Sequence, residues 1–239
     1  MEFISNNQWI IILLPFFIIT VIGIVLGAKN VRREKGIRQK AQELGFFVGT
    51  QESIKEITNI PTFFLLTPQS SHVQFRQIRN IIKGRISDLD FVMFDYISKF
   101  SKGRINTATV LALPLSVEDI PDFRLTPMEK LFSIHKRVLE QSIKKQSQID
   151  DTRGKQVKFS SEPKFLKNYL LYSSDEQTAR KLFDANTLRL LSKQSSKGWN
   201  IVCESGWMNL SHNDKIVKPE SLQGFLKEST LIYKTILRK

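Results

Sequence analysis

Cysteine is almost missing from this chain of 239 residues: Cys203 stands alone, so no intramolecular disulfide and no Cys-rich zinc or iron–sulfur site can be built. Histidine is scarce as well, and His72, His135 and His212 lie too far apart in sequence for a metal-ligand spacing. With only 11 Gly and 8 Pro the chain is neither collagen-like nor Pro/Gly-rich. The glycines never assemble GxxxxGK(S/T) or GxGxxG, and GxSxG is missing, so nucleotide binding and serine hydrolysis have no motif. Acids are the minority sign, 23 Asp and Glu against 36 Lys and Arg, for a net charge of +13. At 41% hydrophobic and 25% charged, the composition is that of a globular chain with one substantial core.

What is present begins with an apolar run. Residues 9–28, WIIILLPFFIITVIGIVLGA, contain no charge. As a helix they would measure about 30 Å, roughly one hydrocarbon core. The expectation is a single transmembrane helix spanning 9–28, preceded by a short tail, so that 1–28 forms the anchor. A cleaved signal peptide is disfavoured by the lack of a basic n-region and by Leu26 at position −3 of a cut after Ala28. Six basic residues follow, Lys29, Arg32, Arg33, Lys35, Arg38 and Lys40, against Glu34 and Glu43 over 29–45. That asymmetry places the carboxyl side in the cytoplasm. The same six residues are candidate contacts to anionic lipid, on a basic juxtamembrane helix over 29–45 that Gly45 would stop. The remaining positive charge is dispersed, with no helix-turn-helix, zinc-finger or RNA-binding signature, and nucleic acid is not an expected partner.

Residues 46–239 read as an α+β domain, an antiparallel sheet with amphipathic helices packed on it. Strands are expected at IRNIIKGRI, at LDFVMFDYISKF and at INTATVLALPLS. Their connections are too short for parallel crossovers. Within the second of these, Val92, Phe94 and Tyr96 read as the apolar face, while Phe91, Met93 and Ile97 share theirs with Asp95. A short helical turn is expected at Ser53–Asn59, and Phe63–Thr67 reads as a strand or a buried turn. Pro114, Pro121 and Pro127 punctuate a passage read as irregular, with Pro127 opening a short helix. Residues 133–158 are polar, basic and weakly periodic, and read either as a helix running into a mobile loop or as an exposed excursion of the main domain. NYLLYS is a strand; Ser174 then reads as the N-cap of a helix with Gln177 at N3 and an irregularity near Asn186–Thr187. WNIVCESGWMNLSHND reads as a hairpin turning at Ser205–Gly206. After Pro219, Leu222, Phe225, Leu226, Ser229, Ile232, Tyr233 and Ile236 form the buried stripe of a last helix.

Chemistry is thin. Asp88 and Asp90 could share a face near a cation, but a turn aspartate and a solvated strand end are the favoured explanation. Asp95, set between apolar neighbours, needs a partner such as Lys99 or Arg104. Cys203 reads as a small buried hydrophobe rather than a nucleophile. Trp207 and Phe123 could form an aromatic recognition surface, with core packing the ordinary alternative. No catalytic, cofactor-binding or metal-ligating residue is assigned, and no cofactor is implied.

The order of NIIKGRI, VMFDY, TATVLALPLS, IPDFRLTP, NYLLYSSDEQTARKLFD and the final WNIVCES to KPESLQGFL resembles an uncharacterised bacterial, cyanobacterial-type, family of single-pass membrane proteins. The resemblance covers roughly 79–239 apart from 133–158 and implies no activity. Taken with the apolar run, the expected function is a membrane-anchored, cytoplasm-facing domain that binds a protein or a lipid surface. The expected location is the bacterial inner membrane, and the expected partners are the bilayer and a membrane or cytoplasmic protein. The alternatives are a membrane-tethered enzyme of unknown reaction and a structural subunit of a membrane complex.

Overall fold

The computed structural model describes residues 8–50, 73–100, 105–115, 120–128, 154–212 and 215–237. The expectations for Ser53–Asn59 and Phe63–Thr67, for a helix opened by Pro127 beyond residue 128, and for 133–153 lie outside these residues. The first element is a helix, α1 (Gln8–Glu43). Strands β1 (Phe47–Val48), β2 (Val73–Ile86), β3 (Leu89–Phe100), β4 (Ile105–Pro114), β5 (Phe123–Pro127) and β6 (Lys155–Val157) follow. Helix α2 (Pro163–Asn168) leads into β7 (Tyr169–Ser173), then α3 (Glu176–Leu182) and α4 (Ala185–Lys193). The chain closes with the hairpin β8 (Trp199–Glu204) and β9 (Trp207–His212), and with α5 (Leu222–Leu237).

The described strands form one antiparallel sheet in the order β1-β2-β3-β4-β9-β8-β5-β7-β6. Two hairpins set its register. Ile86 pairs with Leu89 and Glu204 with Trp207. That leaves Ser87–Asp88 and Ser205–Gly206 as two-residue turns with all four φ angles positive, the geometry whose twist matches paired strands. The consequence is a row of apolar side chains that crosses eight strands without a break: Ile82, Met93, Leu111, Leu210, Ile201, Leu125, Leu171 and Val157. Every one of them is buried in the main core.

The helices cover this face. Ile37 and Ala41 of α1, Phe165 of α2, Ala179 of α3, and Leu188 and Leu191 of α4 all join the main core. The stripe of α5 is buried at each position read from its period, Ser229 included. Each of its large side chains contributes about 1.5–3 kcal/mol by leaving water. Among the described residues, the opposite face holds a smaller cluster of strand residues: Ile78, Ile81, Phe94, Tyr96, Val110 and Ala112. The apolar face read from the sequence of β3 is this minor one. Phe91 and Met93, which share a side with Asp95, belong to the main core.

Four local readings shift. The N-cap of α3 is Asp175, which accepts from the amides of Gln177 and Thr178, one residue after Ser174. The irregularity lies at Phe183–Asp184, where Asp184 caps α4 by accepting from the amides of Asn186 and Thr187. The proline-punctuated passage contains β5, which pairs with β7 and β8. Pro127 is its last residue, opposite Tyr169. The weakly periodic stretch 133–158 enters the described residues at 154–158, and there it forms β6 against β7.

The transmembrane expectation is corrected. Residues 9–28 are not a separate element: α1 runs as one helix of 36 residues through the boundary at residue 28, and its charged carboxyl-terminal part is docked on the sheet. No helix of the described residues is long and apolar enough to cross a membrane. Leu13, Leu14, Phe16, Phe17, Ile18 and Val21 are exposed along the amino-terminal part of α1. The single-pass topology, the bilayer as partner, and the inner-membrane, cytoplasm-facing location were all drawn from that span, and they are withdrawn with it.

Candidate functional site

Two arrangements of side chains stand out, one on each side of the sheet. On the helix side, Asp95 of β3 is buried and accepts four hydrogen bonds. Arg33 of α1 forms a fork on the carboxylate, Nη1 to Oδ2 at 2.6 Å and Nη2 to Oδ1 at 3.0 Å. The Thr109 hydroxyl donates to Oδ1 at 2.6 Å, and Asn80 Nδ2 donates to Oδ2 at 2.8 Å. Arg33 also donates to the Val217 carbonyl from Nε (3.0 Å) and Nη2 (2.7 Å), while Thr109 Oγ1 accepts from the Val217 amide at 2.8 Å. This clasp ties α1, β2, β3, β4 and the segment before α5 together.

A carboxylate has about four lone-pair sites, and here four donors occupy them. Asp95 therefore has no acceptor left for a substrate proton, and the clasp is structural. The partner inferred from sequence proximity, Lys99 or Arg104, is replaced by Arg33, 62 residues away. Of the six basic residues read as lipid contacts, Arg33 is thus turned into the fold. Lys40 pairs with Glu43 at 2.9 Å, and Lys29, Arg32, Lys35 and Arg38 are exposed.

On the strand-only side, at the β1–β2 edge, lies an apolar groove of about 630 Å³. Phe47, Phe91, Val92, Pro114 and Trp207 form its walls, with Lys83, Arg85 and Asp90 also lining it. Its geometry follows from the register: Phe47 opposes Lys83, Lys83 opposes Val92, and Pro114 opposes Trp207. Phe47 is 62% exposed, and Trp207 and Val92 pack against the minor cluster. Gly84 keeps the edge closed, because a Cβ there would sit 2.5 Å from the Phe46 ring. Phe46 in turn meets Phe91 edge-to-face at 5.0 Å. Arg85 and Asp90 neutralise each other through bonds of 2.8 and 3.1 Å. The Arg85 guanidinium holds the Asp90 carboxyl below its ordinary range.

The structure separates the acidic cluster. Asp88 is an exposed turn residue, Asp90 is bound to Arg85 at the exposed strand end, and Asp95 is inside the clasp. Among the described residues no three His, Cys, Asp or Glu side chains could hold a metal ion. Cys203 is buried, and burial first, with Asp122 and Glu204 adding, pushes its thiol up to about 12, where it is not a nucleophile. The two aromatics part company: Trp207 lines the groove, whereas Phe123 is in the core, edge-to-face with Phe183 at 5.1 Å. His72 and His135 lie outside the described residues. His212 packs against Trp199 at 4.2 Å and Phe225 at 5.3 Å.

The described molecule is thus an α+β protein built on one open antiparallel sheet, with helices on one face and a small-molecule-sized groove on the other. No protein-family model and no curated protein matches the chain. Among solved structures, the crystal structure of the mycobacterial trehalose monomycolate transport factor A, TtfA, is similar at a TM-score of 0.47 and 13% identity. The match covers 87% of this chain and 93% of that one. A likeness that weak carries no argument about this chain. The resemblance to single-pass cyanobacterial-type membrane proteins is corrected here too: no family match supports it, and no membrane-spanning helix is found among the described residues.

Proposed function

We propose that this chain is a binding module for a small molecule with an apolar body, held in the groove between Phe47, Val92, Pro114 and Trp207. The observation that carries the reading is an exposed phenylalanine and a half-buried tryptophan that both line one apolar groove of about 630 Å³. Ligand pockets occupy roughly 300–1,000 Å³ and are lined mainly by hydrophobic and aromatic side chains with few polar groups. The groove meets both conditions. Leaving Phe47 in water costs hydrophobic free energy that a bound apolar body would recover. Because Arg85 and Asp90 satisfy each other at the rim, the apolar walls supply the affinity and the rim adds little.

The test is a titration with the fluorescent fatty acid cis-parinaric acid. Saturable binding is expected, weakened about tenfold or more by Trp207→Ala and severalfold by Phe47→Ala, since losing a large aromatic contact is worth about 1–2 kcal/mol. Phe47 is exposed, so its variant should keep the wild-type melting temperature. An absence of saturable binding, or affinities indifferent to both substitutions, would overturn the reading.

A further inference from the structure

A second cleft, of about 560 Å³, opens between α1 and the outer edge of β2. Its character is polar. Glu34, Arg38 and Gln42 line it from α1, and Gln77, Arg79 and Asn80 from β2. Arg79 reaches Glu34 at 3.3 Å, so the pair cancels. Arg38 makes no ion pair among the described residues and leaves the cleft with an excess positive charge.

Asn80 is the unusual member. It is 5% exposed, its φ is +52°, and it sits where the β2–β3 register shifts between Arg79 and Ile82. Left-handed backbone at a non-glycine residue is costly, and such residues gather at functional sites. Its amide orientation is not arbitrary. Asp95 can only accept, so the end facing it at 2.8 Å must be Nδ2. The other end, Oδ1, is then a buried acceptor with no donor among the described residues. A buried carbonyl oxygen left unsatisfied is destabilising, a penalty that a hydroxyl or amine donor entering the cleft would remove. Asp95 in turn is held by Arg33 and Thr109, which fixes Asn80 from behind.

We propose that this cleft binds a small oxyanion that also carries a hydroxyl group, such as a phosphorylated or carboxylated polyol. Arg38, the cation of the cleft that Glu34 does not neutralise, takes the anionic group. A ligand hydroxyl donates to Asn80 Oδ1. Guanidinium groups suit this role because their fixed fork matches phosphate and carboxylate oxygens. The proposal is independent of the groove reading, since the two sites share no lining residue.

The experiment is a calorimetric titration of the full chain with glycerol 3-phosphate at fixed salt, with inorganic phosphate and glycerol as comparison probes and amide chemical shifts read in parallel. Glycerol 3-phosphate should bind saturably and at least tenfold more tightly than inorganic phosphate, shifting the amides of Gln77–Ile81. Arg38→Ala, a change at an exposed site, should weaken it about tenfold. Lys193→Ala, an equal loss of charge on α4, and Trp207→Ala should leave it unchanged. Equal affinity for the two phosphates would overturn the role of Asn80. An unchanged affinity in Arg38→Ala, or an equal loss in Lys193→Ala, would overturn the site.

Discussion

Two buried polar groups, one on each face of the sheet, are handled in opposite ways. On the helix face Asp95 is fully partnered by three side chains from three different elements. On the strand-only face Asn209 is 1% exposed and neither atom of its amide has a hydrogen-bond partner among the described residues, nor does the buried hydroxyl of Ser98. Glu204, on the same side, has a carboxyl raised above its ordinary range, first by burial and then by Asp122. The difference teaches where architecture is specified. A satisfied polar network fixes α1 in one position on the sheet, since only Arg33 completes the shell of Asp95. An unsatisfied one contributes nothing to holding its face and is free to be replaced.

The largest effect should come from breaking the partnered face. Arg33→Ala leaves Asp95 buried with two of its four donors gone. Removing one member of such a pair costs about 3–5 kcal/mol, read as a lower urea midpoint. Arg33→Lys should recover only part of this, because an ammonium restores the charge and not the fork. A loss below about 1 kcal/mol in Arg33→Ala would show that the clasp does not hold α1.

A second effect on the same face is pH-dependent. Burial pushes His212 down to about 4 from its ordinary 6.5; Glu228 opposes this, and Lys197 and Lys215 reinforce it. The folded-state value lies below the unfolded one, so as pH falls below 6.5 the unfolded chain takes up a proton that the folded chain refuses. Stability is therefore complete above 6.5 and is lost as pH falls toward about 4. The cause is the packing of the ring against Trp199 and Phe225, with Nε2 buried and unpartnered among the described residues. Across that window the midpoint of wild type should fall more steeply than that of His212→Gln. Parallel curves would mean that the imidazole is hydrated in the folded state.

How far this was legible in the sequence depends on the range of each interaction. The stripe from Leu222 to Ile236 and the turn at Ser205–Gly206 are written in neighbouring residues, and they were found where expected. β5 was hidden by prolines, which a strand tolerates at its end, where Pro127 stands. The Arg33–Asp95 clasp was not readable, because nothing local to Asp95 indicates a partner 62 residues earlier. Nor was the choice of face in β3. Both of its sides are apolar, and the position of Asp95 marks the helix face only once Arg33 is known to reach it. Of the groove, Trp207 was singled out from sequence; Phe47 was not, since its partner strand begins 26 residues later. The apolar composition of 9–28 was legible, but not the fact that those residues continue unbroken into a docked, charged helix.

The smallest effect, and the one of opposite sign, belongs to the strand-only face. Asn209 sits in register between Ala112 of β4 and Val202 of β8, so its immediate cross-strand neighbours are apolar. Its amide loses hydration on folding and regains no hydrogen bond. Asn209→Leu replaces the amide by a side chain of comparable bulk and removes two unsatisfied groups at once. The expected change is a gain of up to about 1 kcal/mol, since replacing unpaired buried polar groups with apolar ones is neutral or stabilising. Urea unfolding of Asn209→Leu beside Arg33→Ala measures both halves of the comparison on one scale. A loss above about 2 kcal/mol in Asn209→Leu would mean that the amide is satisfied after all, and the two faces would then follow the same rule.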